Sequence, residues 1–171
     1  MDYTPGAFRT VSQKDFKSRS KEPVAQGTRS HQLAMYVVYE SPLQMLVDYP
    51  AAYKGKVGLE FLKRVPTSWD ATRVIQGQVG EYITVARKKG SEWYVGSLTN
   101  WKSRELHIPL KFLGAGEYIA EVYSDVAPIK DGSKSIHRER FNVNSKTVIV
   151  GSLNQGGGHA MYIFPDLEST N

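Results

Sequence analysis

An incomplete α/β segment, residues 1–76, followed by an all-β antiparallel sandwich, residues 77–171, is the fold class that this sequence predicts. Three observations predict it. Apolar residues recur at helical spacing between residues 28 and 64, and the helical pattern then stops. From Gly77 onward, seven short runs of strand character follow, separated by turn residues at near-hairpin spacing. The helical region alternates with extended stretches only twice, which is too few repeats to enclose a core of their own.

Residues 1–27 are rich in Gly, Ser, Lys and Pro and read as a loop. Thr28 is a plausible N-cap, and Leu33, Ala34, Val37 and Val38 define a mostly buried helix that runs to Glu40 and is stopped by Pro42. Residues 41–47 are then expected to form a short strand, and Pro50 to open a brief helical turn. A second helix is expected over 58–64, ending before Pro66, because the residue preceding a proline is pushed out of the α region. Residues 67–75 follow as an extended stretch. This order has the rhythm of βα units in a parallel sheet.

In the second half, strands are expected at 81–87, 93–99, 104–110, 118–124, 138–143, 147–152 and 160–164. Turn signals between them include Lys88-Lys89-Gly90, Gly114-Ala115-Gly116, Lys130-Asp131-Gly132, Asn144-Ser145 and Gly156-Gly157-Gly158. Leu106, Ile108 and Leu110 alternate with His107 and Pro109, the period of two of a half-buried strand.

The totals exclude several classes. The chain has 171 residues, is 40% hydrophobic and 11% aromatic, and is therefore globular in composition. Its net charge of +5 is dispersed. The one basic cluster, Lys14, Lys17, Arg19 and Lys21, has only Phe16 beside it and reads as a solvated loop, so no nucleic-acid partner is expected. Cysteine is absent, which removes disulfides and thiolate metal sites. No apolar run approaches the roughly 20 residues that span a bilayer, so no membrane partner is expected, and no signal-peptide pattern opens the chain.

Motifs for chemistry are few. His31, His107, His137 and His159 stand singly, without metal-ligand spacing. Gly151-Ser152-Leu153-Asn154-Gln155-Gly156 misses the nucleophile-elbow pattern, and the triple glycine reads as a flexible turn because no helix follows to hold a phosphate. Glu40, Asp48, Glu60, Asp70, Glu81 and Glu121 are the carboxylates from which acid/base work could be drawn, and spacing pairs none of them.

The stretch from Gly27-Thr28-Arg29-Ser30-His31-Gln32 to Tyr39-Glu40-Ser41-Pro42-Leu43-Gln44-Met45-Leu46 resembles the late barrel region of family 97 glycoside hydrolases. The likeness continues through Val65-Pro66-Thr67-Ser68-Trp69-Asp70, Gly80-Glu81-Tyr82-Ile83, Ala86-Arg87 and Trp93-Tyr94-Val95-Gly96. Residues 1–6 are similar to an internal stretch of that family, residues 9–26 match poorly, and the strands beyond Asp125 match by pattern. The resemblance implies that residues 1–76 are the end of an incomplete (β/α)8 barrel, and that residues 77–171 are a C-terminal β-sandwich linked to homo-oligomerisation. It also implies an exo-acting α-glucosidase or α-galactosidase of the periplasm, acting on oligosaccharides and usually calcium-dependent. The family's catalytic and calcium-holding carboxylates lie upstream of the stretch matching Met1. No catalytic residue and no metal ligand is therefore expected here, and calcium would belong to the full-length enzyme.

Trp69 and Asp70 are the candidate substrate contacts. They would follow a late barrel strand, and active sites of such barrels sit at strand C-termini. A tryptophan ring can stack on a sugar face while the neighbouring acid takes its hydroxyls. The competing reading packs Trp69 against the β half and uses Asp70 to cap a turn.

Three functional readings remain in play. The first is a glycosidase tail that braces the barrel or a subunit contact. The second is a free-standing carbohydrate-binding sandwich using exposed Trp93, Trp101 or Tyr94. The third is an oligomerisation unit with an exposed apolar patch. Under the first, the apolar helix face Leu33 to Val38 lacks its cover, so residues 78–171 should resist proteolysis and residues 1–76 should be cut.

Overall fold

The computed structural model describes residues 6–18, 21–126 and 136–167. The turn expected at Lys130-Asp131-Gly132 and the match at residues 1–5 lie outside them.

The frame is a six-stranded antiparallel sheet in the order β3-β4-β5-β10-β7-β8. Its strands are β3 (Ala71–Gln78), β4 (Tyr82–Lys89), β5 (Glu92–Thr99), β7 (Tyr118–Asp125), β8 (Ile136–Val143) and β10 (Gly158–Pro165). β6 (Arg104–Pro109) and β9 (Val148–Leu153) form a second, two-stranded sheet that closes one face. All seven strands expected after residue 77 are present, within a few residues of their expected ends.

Alternation decides which face each side chain serves. Trp93 and Val95 of β5, Ala120 and Val122 of β7, and Met161 and Ile163 of β10 join Leu106, Ile108, Ile149 and Leu153 in the sandwich core. Their neighbours Tyr94, Tyr123, Ala160 and Tyr162 point the other way and are buried too. The central strands are thus covered on both sides, so β5 and β10 are apolar almost throughout.

Helices cover that second face. α1 (Arg29–Val38) starts where the Thr28 hydroxyl accepts the His31 N–H at 3.1 Å, and ends at Tyr39. Leu33 and Val37, both fully buried, lie against the sheet with Phe8, Tyr53 of α2 (Pro50–Tyr53) and Phe61 of α3 (Leu59–Arg64). Burying two such side chains contributes about 1.5–3 kcal/mol each. The helix can sit this close because β5 has a glycine beneath it. A Cβ on Gly96 would lie 2.7 Å from the Ala34 carbonyl oxygen and 2.9 Å from Val37 Cβ.

Several expectations for the first half are corrected. Residues 41–47 form a bend and an isolated bridge instead of a strand, with the Ser41 hydroxyl donating to the Leu43 carbonyl at 2.6 Å. The stretch expected over 67–75 as the next strand of a parallel unit is β3, which runs to Gln78 and pairs antiparallel with β4. The reason is the hairpin loop Val79–Gly80–Glu81, where Gly80 has φ +75° and the Glu81 N–H donates to the Gln78 carbonyl. The boundary placed between residues 76 and 77 therefore falls inside a strand. Parallel pairing among the described residues is confined to β1 (Thr10–Val11) and β2 (Ala25–Gln26), inside the stretch read as a loop. The helix face Leu33 to Val38 is not left bare: the β-sheet itself covers it. Both halves share one core, and the expected difference in protease sensitivity loses its physical basis.

Gly96→Ala should lower stability by about 1–3 kcal/mol in urea denaturation, because the added methyl meets backbone and a β-branched side chain that cannot swing away. An unchanged midpoint would mean that α1 is not held at this distance.

Candidate functional site

Trp69 and Asp70 come together as neighbours but serve different tasks. The Trp69 ring meets Tyr94 edge-on at 5.4 Å, with the Arg87 guanidinium 5.8 Å from its centre. Asp70 accepts the Gly90 N–H at 2.7 Å and faces Lys89 at 3.4 Å. The Gly90 hydrogen bond and then Lys89 hold its carboxyl below the usual aspartate range. This is the geometry of a packed ring and a cap on the β4–β5 hairpin turn.

Of the other carboxylates, Asp48 accepts the Tyr49 N–H at 3.1 Å, while its second oxygen is buried without a hydrogen-bond partner among the described residues. Glu40 pairs with Arg87 at 3.4 Å, Glu60 with Lys63 at 2.9 Å, and Glu81 with Arg104. Arg87 does more than pair: its guanidinium donates to the Val37 carbonyl at 2.6 Å and the Val38 carbonyl at 3.2 Å. These are the open carbonyls at the end of α1, where a cation is favoured.

A polar cluster that sequence reasoning missed lies between α3 and the sheet. Glu121, its side chain 5% exposed, sits 3.4 Å from Arg64 and 3.9 Å from Arg138, and accepts the Tyr123 hydroxyl at 3.3 Å. Glu92 accepts the hydroxyls of Tyr94 and Tyr162. Burial, followed by the Glu121 charge, pushes the Tyr123 phenol up to about 12. Burial, with the Glu92 hydrogen bond next, raises Tyr94 and Tyr162 as well. All three phenols are thus held as neutral donors. A general acid/base pair needs a carboxylate free to exchange a proton across a cleft; these oxygens are committed to arginine and phenol partners among packed rings. The cluster locks α3 onto the sheet. A signal for it was in the sequence: Glu92-Trp93-Tyr94 and Glu121-Val122-Tyr123 each put an acid and a phenol on one strand face.

The triple glycine is a turn into the last strand, as expected, and it is also a buried contact. Gly156, Gly157 and Gly158 are buried against the start of α1. A Cβ on Gly158 would lie 2.5 Å from His31 Cα, and one on Gly157 would lie 2.1 Å from the Asp125 carboxylate. The Thr28 N–H donates to the Gly156 carbonyl at 3.3 Å, and His31 Nδ1 lies 3.0 Å from the Gly157 carbonyl. Asp125 accepts the Asn154 N–H at 2.9 Å and the Gly158 N–H at 3.3 Å. Burial pushes its carboxyl up, and hydrogen bonds from Thr28 and the Asn154 backbone oppose that.

The remaining platforms for a sugar are mostly covered. Trp93 is 6% exposed and Tyr94 2%. Trp101 is the more open, but its ring lies over Gly156. This counts against a free-standing module built on these three aromatics. Among the described residues, no group of three or more His, Asp or Glu is placed to hold a metal ion. A concavity of about 640 Å³ beside the β3–β4 hairpin is lined by Val38, Tyr39, Val74, Val79 and Tyr82. Its acid, Glu81, is tied to Arg104, so it offers a surface and no pair of catalytic groups.

The sequence model described as glycosyl-hydrolase 97 C-terminal, oligomerisation, matches residues 68–164. The chain belongs to glycoside hydrolase family 97. It is 39% identical over 164 residues to the retaining α-galactosidase of Bacteroides thetaiotaomicron, covering 95% of this chain and 25% of that protein. A family 97 enzyme from Pseudoalteromonas sp. strain K8, solved in complex with panose, superposes with a TM-score of 0.78 at 32% identity, over 82% of this chain and 23% of that one. A β-arabinopyranosidase structure superposes with a TM-score of 0.69 at 26% identity, over 83% and 22%. The chain thus spans about a quarter of the length of these relatives. The family match begins at Ser68, just ahead of β3, in keeping with β3 belonging to the β domain.

His159 gives a test of the buried frame. Complete burial lowers its pKa to about 4. The unfolded chain then takes the proton first, so this contribution to stability is present above pH 6.5 and is lost as pH falls toward 4. His159→Leu should therefore reduce the loss of stability between pH 7 and pH 5 by about 2 kcal/mol, measured by urea denaturation at both values. Comparing the variant with the parent cancels the opposite contribution of Asp125. Identical pH dependence would place His159 in water.

Proposed function

We propose that this chain is the C-terminal segment of an exo-acting family 97 enzyme that cleaves α-galactosidic or α-glucosidic bonds with retention. Within that enzyme it braces the catalytic part and provides contact between copies. The observation that carries the reading is the 39% identity to a retaining α-galactosidase across 95% of this chain but only 25% of the relative. Retention needs a carboxylate nucleophile and an acid/base carboxyl about 5–5.5 Å apart. Among the described residues, Glu40, Glu60, Glu81 and Glu121 are drawn into ion pairs, Asp70 caps a turn, and Glu92 and Glu121 accept phenol hydrogen bonds. On this reading the chemistry, the (β/α)8 barrel that carries it and the calcium belong to the rest of the enzyme, in the periplasm, with oligosaccharides as substrate. The helical region, α1 to α3, lies outside the family match and supports the role of brace, because it ties preceding chain to the sheet through Arg87, Gly96 and the glycine turn.

Hydrolysis of p-nitrophenyl α-galactoside and α-glucoside, with calcium present, should occur in a version extended upstream to the length of the relatives and not in this chain alone. The extended version should prefer the galactoside. Activity of the 171-residue chain would place the reacting carboxylates here and overturn the assignment.

A further inference from the structure

The oligomerisation match over residues 68–164 leaves open which surface meets a second copy. Among the described residues, two pairs of valines in that range are the most exposed of the large apolar side chains. On β9, Val148 and Val150 are about half exposed. They face Pro109 and His107 across the ladder, beside the exposed Glu105–His107 pair. On β3, Val74 is 68% exposed and stands as a ridge between two concavities, of about 640 and 490 Å³, lining both. Val79, at the tip of the same hairpin, is fully exposed.

β3 is also an edge of the main sheet, with the ladder on its outer side open. Edge strands are normally guarded by charge, since a free row of N–H and C=O groups invites pairing. The opposite edge, β8, has that guard: Arg138, Glu139 and Arg140 are exposed in succession. β3 carries Arg73 as its sole charge over eight residues. The register to β4 shifts between Val74 and Gln76; Ile75 packs against the sandwich core, and Val74 is exposed.

The geometry points to β3 as the strand that meets β3 of a second copy, antiparallel, about a two-fold axis near Val74. This rests on the reading of the chain as a contact between copies. Two-fold symmetry requires identical strands to pair antiparallel. With the axis at Val74, that valine faces its own counterpart, Arg73 faces Ile75 and Thr72 faces Gln76, so the single charge never meets itself. Edge pairing alone buries little surface, so affinity depends on the apolar area that Val74 and its counterpart remove from water at the axis.

Sedimentation equilibrium on the 171-residue chain and its Val74→Lys and Val150→Lys variants tests this. The parent and Val150→Lys should be dimers. Val74→Lys should keep its circular dichroism and raise the dimer dissociation constant roughly tenfold or more. Because the chain has no cysteine, Val74→Cys gives a readout that does not depend on how the lysine variant folds: with oxidised glutathione it should form a covalent dimer, and Val150→Cys should not. A dimer that survives Val74→Lys, with no cross-link through Val74→Cys, overturns the β3 assignment and leaves the oligomerisation reading standing. Dissociation by Val150→Lys alone moves the contact to β9. A parent that is monomeric at every concentration overturns both.

Discussion

The structure depends on the distance at which α1 lies on the sheet. At Gly96 the helix backbone comes so close that a methyl group would meet the Ala34 carbonyl, and at Gly158 the last strand begins against the backbone of His31. Contact at this range leaves no gap for water. It also lets Leu33 and Val37 reach Tyr94, Ala160 and Phe61 directly. Close packing of this kind is sensitive to single methylene changes. The helix is thus a permanent part of the domain rather than an appendage.

Polar groups then fix the helix in one orientation. Arg87 closes the C-terminal carbonyls of α1, and Asp125 lies near the N-terminal end, where Thr28 caps the helix. Both signs match the helix dipole. Below α1, the Glu121 and Glu92 clusters secure α3 through arginine and phenol partners. A segment held at both helix ends and along its apolar face is suited to transmit a fixed geometry to chain that precedes it.

The β half was legible because its signal is local. Alternation and turn glycines placed seven strands within a few residues, and Gly27-Thr28-Arg29 onward located α1. What failed depended on partners distant in sequence. The stretch over 67–75 read as the end of an α/β unit because nothing within it shows that Gly80 closes a hairpin with β4. Leu33 to Val38 read as uncovered because their cover, Gly96 and Ala160, lies more than 50 residues away. For Trp69-Asp70 the sequence offered both a sugar contact and a turn cap, and the hydrogen bond from Gly90 shows the turn that Asp70 caps. The Glu-x-Tyr pairs of β5 and β7 were visible, but nothing local says that Arg64 arrives between them.

Residues on both sides of Gly77 fold as one unit, with the sheet as the cover of α1. Native-state hydrogen exchange measures this most directly. The amides of Leu33 to Val37 should exchange through the same global opening as those of Trp93 to Leu98 and Ala160 to Ile163, with matching free energies and matching urea dependence. Exchange of the α1 amides by a separate, much less costly opening, while β5 and β10 remain protected, would contradict it.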